Sequence, residues 1–216
     1  MEPRTDLPLL ESKRLFKIAF GLAVFTILYN IAEGCISLYF GYENESLALF
    51  GFGVDSFIEV LSGFGIAHMV LRVRSHPDSN RDSFERTALT ITGLAFYVLV
   101  AGLIATSMYN LWTGRKPETT LWGVVISIIS IAVMAALLYY KKRVGRQLSS
   151  DAILADAECT KVCIYMSVVL LVSSGMYEVT RIPFMDVVGT LGLAYLSFNE
   201  GRECFEKIEK NSHCSC

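Results

Sequence analysis

Charge is scarce in this sequence. Asp, Glu, Lys and Arg together make up 19% of its 216 residues, whereas hydrophobic residues make up 53%. A soluble domain of this length normally carries more charge, about 25%. The net charge of −2 gives no reason to expect a nucleic-acid partner, and we expect none. The mean hydropathy of +0.46 instead indicates a single membrane-embedded domain.

The sequence also lacks the short segments of alternating polarity that are typical of a membrane β-barrel, and no secretory signal is visible. A helix needs roughly 20 residues to cross a bilayer core of about 30 Å, and backbone groups in lipid must pair within their own segment. We therefore expect an all-α membrane protein, a bundle of six transmembrane helices. The apolar runs that predict these helices are 18–40, 47–71, 89–112, 121–140, 153–176 and 182–198.

Lys and Arg predict the orientation. Of the 19 basic residues, all but four lie in the two terminal segments, the second-to-third loop and the fourth-to-fifth loop, the last of which includes Lys141. The positive-inside rule then places both termini in the cytoplasm. We expect a cytoplasmic segment at 1–17, a six-helix membrane domain at 18–200 and a short cytoplasmic tail at 201–216. The protein is expected to be a multi-pass protein of the cell (inner) membrane.

The loops that face outward contain no cysteine. A disulfide framework is therefore not expected, and the thiols should be reduced and able to bind metal. The cysteines are Cys35, Cys159, Cys163, Cys204, Cys214 and Cys216.

Two pairs of ligand-type residues lie inside the predicted helices, where ionisable groups are functional candidates by default. Asp55 and Glu59 are four residues apart in helix two, and Cys159 and Cys163 are four residues apart in helix five. Each pair projects from one helix face. Two carboxylates and two thiolates supply the four ligands that a tetrahedral Zn²⁺ takes. Cd²⁺, Hg²⁺ and Fe²⁺ are alternatives, since thiolates prefer soft or borderline ions.

Other interpretations stay open. Asp55 and Glu59 could form a structural ion pair with Lys161, and an isolated cysteine is usually a small buried hydrophobic residue. A membrane thiol oxidoreductase could use Cys159 and Cys163, although i, i+4 thiols on a regular helix are poorly placed for a disulfide. A third alternative is a membrane metal sensor or scaffold that transports nothing.

Three further features have more than one interpretation. Asp156 could be solvated or line an inner vestibule, and Asp186 could be a hydrogen-bond partner in helix packing. The terminal residues His213, Cys214 and Cys216 could capture metal, but chain termini are commonly unstructured.

Four stretches resemble the cation diffusion facilitator family. Residues 30–34 (NIAEG) and 45–59 (ESLALFGFGVDSFIE) resemble its helices one and two. Residues 148–157 (LSSDAILADA) look like its entry into helix five, and residues 184–189 (FMDVVG) are similar to its helix-six pattern. The resemblance extends from the first helix to the sixth.

The resemblance implies a metal/proton antiporter, not an enzyme, that is usually homodimeric and has its site between helices two and five. The acidic pair of the family maps onto Asp55 and Glu59. Its helix-five His-x-x-x-Asp pair maps onto Cys159 and Cys163, so this sequence departs from the family by having thiols there. The sequence also looks like a short form that lacks the family's folded C-terminal cytoplasmic domain. We expect an exporter of a divalent cation, Zn²⁺ first, that needs no resident cofactor.

Overall fold

The computed structural model describes residues 9–75, 82–113, 117–148, 151–182 and 184–212. These residues contain no β-strand. They form six α-helices, which are α1 (Leu9–Glu43), α2 (Leu47–Ser75), α3 (Asp82–Thr113), α4 (Leu121–Gln147), α5 (Asp151–Thr180) and α6 (Phe184–Ser212). Each of the first five predicted apolar runs lies within one helix, and the sixth run begins just before α6. The predicted all-α fold is therefore confirmed.

Four of the helices are long and apolar enough to cross a membrane over described residues. The segments are Lys17–Glu43, Thr90–Thr113, Leu121–Gln147 and Ala157–Thr180. The other two helices, α2 and α6, are each 29 residues long. Of these two, α6 is the less apolar, because its second half is rich in charge. Together the helices make the chain a multi-pass integral membrane protein.

The helices extend past the apolar runs that predict them. The fourth run ends at residue 140, but α4 continues to Gln147 through a basic segment. Lys141, assigned above to the fourth-to-fifth loop, instead lies on α4 with a side chain that is 1% exposed. The loop assignment was wrong because hydropathy records where the apolar residues stop. The backbone hydrogen bonds of a helix do not stop at that point.

Large apolar side chains cover the outside of the bundle. Those that are exposed include Leu28, Phe64, Val98, Ile128, Val172 and Val188, one from each helix. Several polar and charged side chains are buried instead, including Asn30, Glu33, Asp55, Lys141 and Asp186. A bilayer favours this distribution, because lipid solvates apolar surface and polar groups face the interior of the bundle.

The helices pack most closely in the pairs α1–α2, α4–α5 and α3–α6, and α2 also contacts α5. Gly53 allows the close approach of α1 and α2. A Cβ atom at this position would lie 2.8 Å from the backbone nitrogen of Leu38, which is too close for any side chain. A helix pair in lipid depends on such small residues at the contact. This packing places α2 against both α1 and α5.

Carboxylates hold the N-terminal ends of two helices. Asp186 of α6 accepts hydrogen bonds from Ser46 Oγ (2.7 Å) and from the backbone nitrogen of Leu47 (3.0 Å) at the start of α2. Glu178 of α5 accepts a hydrogen bond from the backbone nitrogen of Thr120, just before α4, at 2.5 Å. The first amide groups of a helix have no partner within it. The expectation that Asp186 makes a packing hydrogen bond is confirmed, and its partner is the start of α2.

Candidate metal site

The carboxylates of α2 lie in the interior of the bundle. Asp55 is 3% exposed, and its Oδ1 accepts no hydrogen bond from the described residues. The charge of Asp55 acts on Glu59, one helical turn away. The charges of Glu200 on α6 and Glu33 on α1 act on Asp55, and that of Glu33 acts on Glu59 as well. Mutually repelling carboxylates in a low-dielectric interior attract a cation strongly. The Oδ1 atom of Asp55 can therefore serve as a ligand to such a cation without giving up any existing hydrogen bond.

The thiol of Cys163 meets the carboxylate of Glu59 across the α2–α5 interface. Its Sγ atom donates to Glu59 Oε1 and also lies 3.2 Å from the backbone oxygen of Cys159. Cys163 is buried. A cation that replaced the thiol proton would find one sulfur and one oxygen ligand in place, the donor types that Zn²⁺ accepts.

Cys159 lies one turn from Cys163 towards the start of α5 and is partly buried. The two residues interact electrostatically, and no disulfide joins them. Within the described part of the chain, no three His, Cys, Asp or Glu side chains are arranged to hold a metal ion together. The structure thus brings Glu59 and Cys163 into contact. Asp55 and Cys159 each lie one helical turn away, on the same helices as this pair.

Two residues of α1 that the sequence analysis did not assign to the site lie beside it. Asn30 donates from Nδ2 to Glu59 Oε2 at 2.9 Å. Glu33, one turn further along α1, accepts from the hydroxyl of Tyr29 at 2.9 Å and from Ser56 Oγ at 3.3 Å. Glu33 is an ionisable residue inside an apolar run, which is the signal that identified Asp55 and Glu59. That signal could have identified Glu33 as well, but not the neutral Asn30.

Polar side chains of α4 and α5 also lie in the interior of the bundle. Ser167 Oγ donates to the backbone oxygen of Cys163 at 2.8 Å and lies 2.9 Å from Ser130 Oγ. Lys141 donates from Nζ to Thr160 Oγ1 at 2.9 Å, and its positive charge acts on Glu59. The site is therefore surrounded by polar groups from α1, α4 and α5.

Lys161, a possible partner of the α2 carboxylates, lies elsewhere. Its Nζ atom is 3.4 Å from Glu158 Oε2, and Glu158 also pairs with Lys142 at 3.0 Å. These side chains are exposed or nearly so. The proposed structural ion pair between Lys161 and the α2 carboxylates is not observed. The side chain of Asp156 and the residues 213–216 lie outside what the structure describes.

The chain matches a known protein family. The family model for the cation efflux transmembrane domain matches residues 23–207. An uncharacterized transporter from Methanocaldococcus jannaschii is 27% identical over 154 residues, which are 69% of this chain and 54% of the relative. The chain thus spans about half the length of the curated relative that it matches.

Proposed function

This chain belongs to the cation efflux family, and on that premise we propose that it exports a divalent transition-metal cation, Zn²⁺ first, in exchange for protons. The observation that supports this proposal is the contact between Cys163 Sγ and the Glu59 carboxylate in the bundle interior. This contact lies between the two helices whose i, i+4 pairs carry the four ligand-type residues. A transported ion needs such a place, buried from both sides but lined with groups that bind it.

The donor types determine which ions fit. Two carboxylates and two thiols offer oxygen and sulfur, and sulfur favours Zn²⁺ and Cd²⁺, with Hg²⁺ and Fe²⁺ as further candidates. Mg²⁺ and Ca²⁺ prefer sites made only of oxygen ligands. The proposed ligands are Asp55, Glu59, Cys159 and Cys163.

Proton exchange follows from the chemistry of these ligands. Thiols and carboxyls bind a cation only after they lose their protons. When the ion arrives, the S–H bond of Cys163 breaks, its proton leaves, and a sulfur–metal bond forms. Protons that enter from the opposite side reverse this step and release the ion. Protonation also makes it less costly for the empty site to return to its starting side, because several unpaired anions are unfavourable in a low-dielectric interior.

We further propose that the ion moves from the cytoplasm outward, in the cell (inner) membrane, and that the transporter works as a homodimer. The excess of basic residues at the termini and in two loops supports the orientation. The family resemblance supports the dimer.

Transport in sealed vesicles tests the function. The purified protein is reconstituted with a zinc-sensitive dye and a pH-sensitive dye inside, and Zn²⁺ is added outside. We expect zinc to enter while protons leave, and we expect Asp55→Ala and Cys163→Ala to abolish both signals. Cys35→Ala is the matched thiol control, because Cys35 lies on the exposed surface of α1. Glu206→Gln is the carboxylate control, because Glu206 pairs with Arg202 on α6.

Each alternative function gives a different result. Zinc binding without movement of zinc would indicate a sensor or scaffold. Quinone-dependent oxidation of the thiols, with no cation flux, would indicate an oxidoreductase. Full transport by both the Asp55 and the Cys163 variants would remove the assigned ligands while leaving the transport function in place.

A further inference from the structure

Asn30 of α1 makes a direct hydrogen bond to one of the proposed ligands. Its Nδ2 atom donates to Glu59 Oε2 at 2.9 Å, while Glu59 Oε1 accepts from Cys163. The two oxygens of this carboxylate are thus held from opposite sides, one by α1 and one by α5. The amide of Asn30 therefore fixes which oxygen of Glu59 faces the thiol.

The other end of the same amide has no partner. Asn30 is 2% exposed, and its Oδ1 atom accepts no hydrogen bond from any described residue. An amide oxygen and nitrogen are joined through bonds of about 1.2 and 1.3 Å, so Oδ1 lies no farther than about 5.5 Å from Glu59 Oε2. A buried acceptor left without a partner costs about 1–3 kcal/mol and calls for a functional explanation.

We infer that Asn30 is a further residue of the cation site, contributed by α1. Its nitrogen positions Glu59, and its Oδ1 is an oxygen ligand for the cation that Glu59 and Cys163 bind. This inference rests on the proposed function, because it concerns the same ion. It makes the site a three-helix site and adds a neutral oxygen to a donor set of thiols and carboxylates.

Glu33 does not take this role, although it lies on the same face of α1. Its two carboxylate oxygens already accept hydrogen bonds from Tyr29 and Ser56. Both oxygens of Glu33 thus have a protein partner, whereas Oδ1 of Asn30 has none among the described residues. A neutral ligand also adds no charge to an interior that already holds several carboxylates.

A comparison of zinc and cadmium binding tests the inference. Equilibrium binding of Zn²⁺ and Cd²⁺ is measured on the full-length purified protein and on Asn30→Leu and Asn30→Asp. Leu has the same branched skeleton but no polar atom, so we expect zinc affinity to fall by about 10- to 100-fold. Cadmium affinity should fall less, because the softer ion depends more on sulfur. Asp restores an oxygen at this position, so Asn30→Asp should recover zinc binding to within about tenfold of the native protein.

Thr26→Val is the matched control, because Thr26 lies one turn away on α1 and donates only to the backbone oxygen of Leu22, at 2.9 Å. It should bind both ions as the native chain does. Native-like binding by Asn30→Leu would overturn the inference and leave the proposed function intact. Equal losses for both ions, without recovery in Asn30→Asp, would also overturn it, since that pattern indicates packing alone. A native protein that binds neither ion would overturn both proposals.

Discussion

Cys163 on α5 donates its thiol hydrogen bond to the carboxylate of Glu59 on α2, although the two residues are 104 positions apart in the chain. The contact joins a soft sulfur to a hard oxygen in one buried place. Replacement of the thiol proton by a cation would turn this hydrogen bond into two metal–ligand bonds. The selectivity, pH dependence and helix-packing requirements of the site follow from this arrangement.

Removal of the sulfur should change the ion preference. Cys163→Ser keeps a small hydroxyl that can donate to Glu59 but offers no soft ligand. We expect the affinity for Cd²⁺ to fall by about tenfold or more relative to Zn²⁺, equivalent to about 1.4 kcal/mol. Competition between the two ions in equilibrium dialysis measures the ratio. Cys35→Ser, on the exposed face of α1, should leave the ratio unchanged, and an unchanged ratio in Cys163→Ser would exclude the sulfur as a ligand.

Zinc binding should weaken as the pH falls. The ligands bind the ion only when deprotonated, so protons compete with the ion and the apparent dissociation constant rises in acid. In the range where the ligands are protonated, displacement of one proton gives a rise of about tenfold per pH unit, and displacement of two gives about 100-fold. Zinc titrations at a series of pH values, with proton release followed in weak buffer, measure both quantities. Binding that is independent of pH would contradict the proposed exchange.

Asp186→Ala should destabilise the fold. The substitution removes the acceptor for Ser46 Oγ and for the backbone nitrogen of Leu47, and leaves these donors buried. We expect the free energy of unfolding to fall by about 1–3 kcal/mol. Thermal unfolding in detergent, followed by circular dichroism, measures the change. Asp186→Asn keeps an acceptor oxygen and should lose less, so an equal loss in both variants would argue against the capping role.

Gly53→Ala should separate α1 from α2. The new Cβ would lie 2.8 Å from the backbone nitrogen of Leu38, and backbone cannot move aside as a flexible side chain can. We expect a loss of about 1–3 kcal/mol in unfolding free energy, the usual result of overpacking. Gly21→Ala on α1 is the matched control, since a Cβ there meets nothing within 4 Å. Its stability should stay the same or rise, because alanine is the better helix former.

The apolar runs predicted the helices because membrane-spanning segments must be both long and hydrogen-bonded internally. They could not predict the helix ends, as Lys141 demonstrates. A helix that leaves the apolar region continues as long as its residues tolerate helical geometry, and hydropathy does not record that limit. The burial of Lys141 depends on Thr160 of the next helix, which is a tertiary contact.

The candidate site was predicted in part. The i, i+4 spacing placed Asp55 with Glu59 and Cys159 with Cys163, since one helix fixes such pairs. The spacing could not predict that Glu59 would meet Cys163 first, because this depends on the register between α2 and α5. Nor could it predict that Asn30 lies beside the site. The hydrogen bond of Asn30 to Glu59 depends on the close packing of α1 against α2, which Gly53 allows.

X-ray absorption at the zinc edge tests the central claim most directly. The purified native chain is loaded with one Zn²⁺ and compared with Cys163→Ser and Glu59→Gln. In the native protein we predict that the zinc ion is bound by both sulfur, at about 2.3 Å, and oxygen, at about 2.0–2.2 Å. The sulfur contribution should decrease in Cys163→Ser and persist in Glu59→Gln. A first shell without sulfur in the native protein would show that the ion does not bind where Glu59 and Cys163 meet, and would contradict the account.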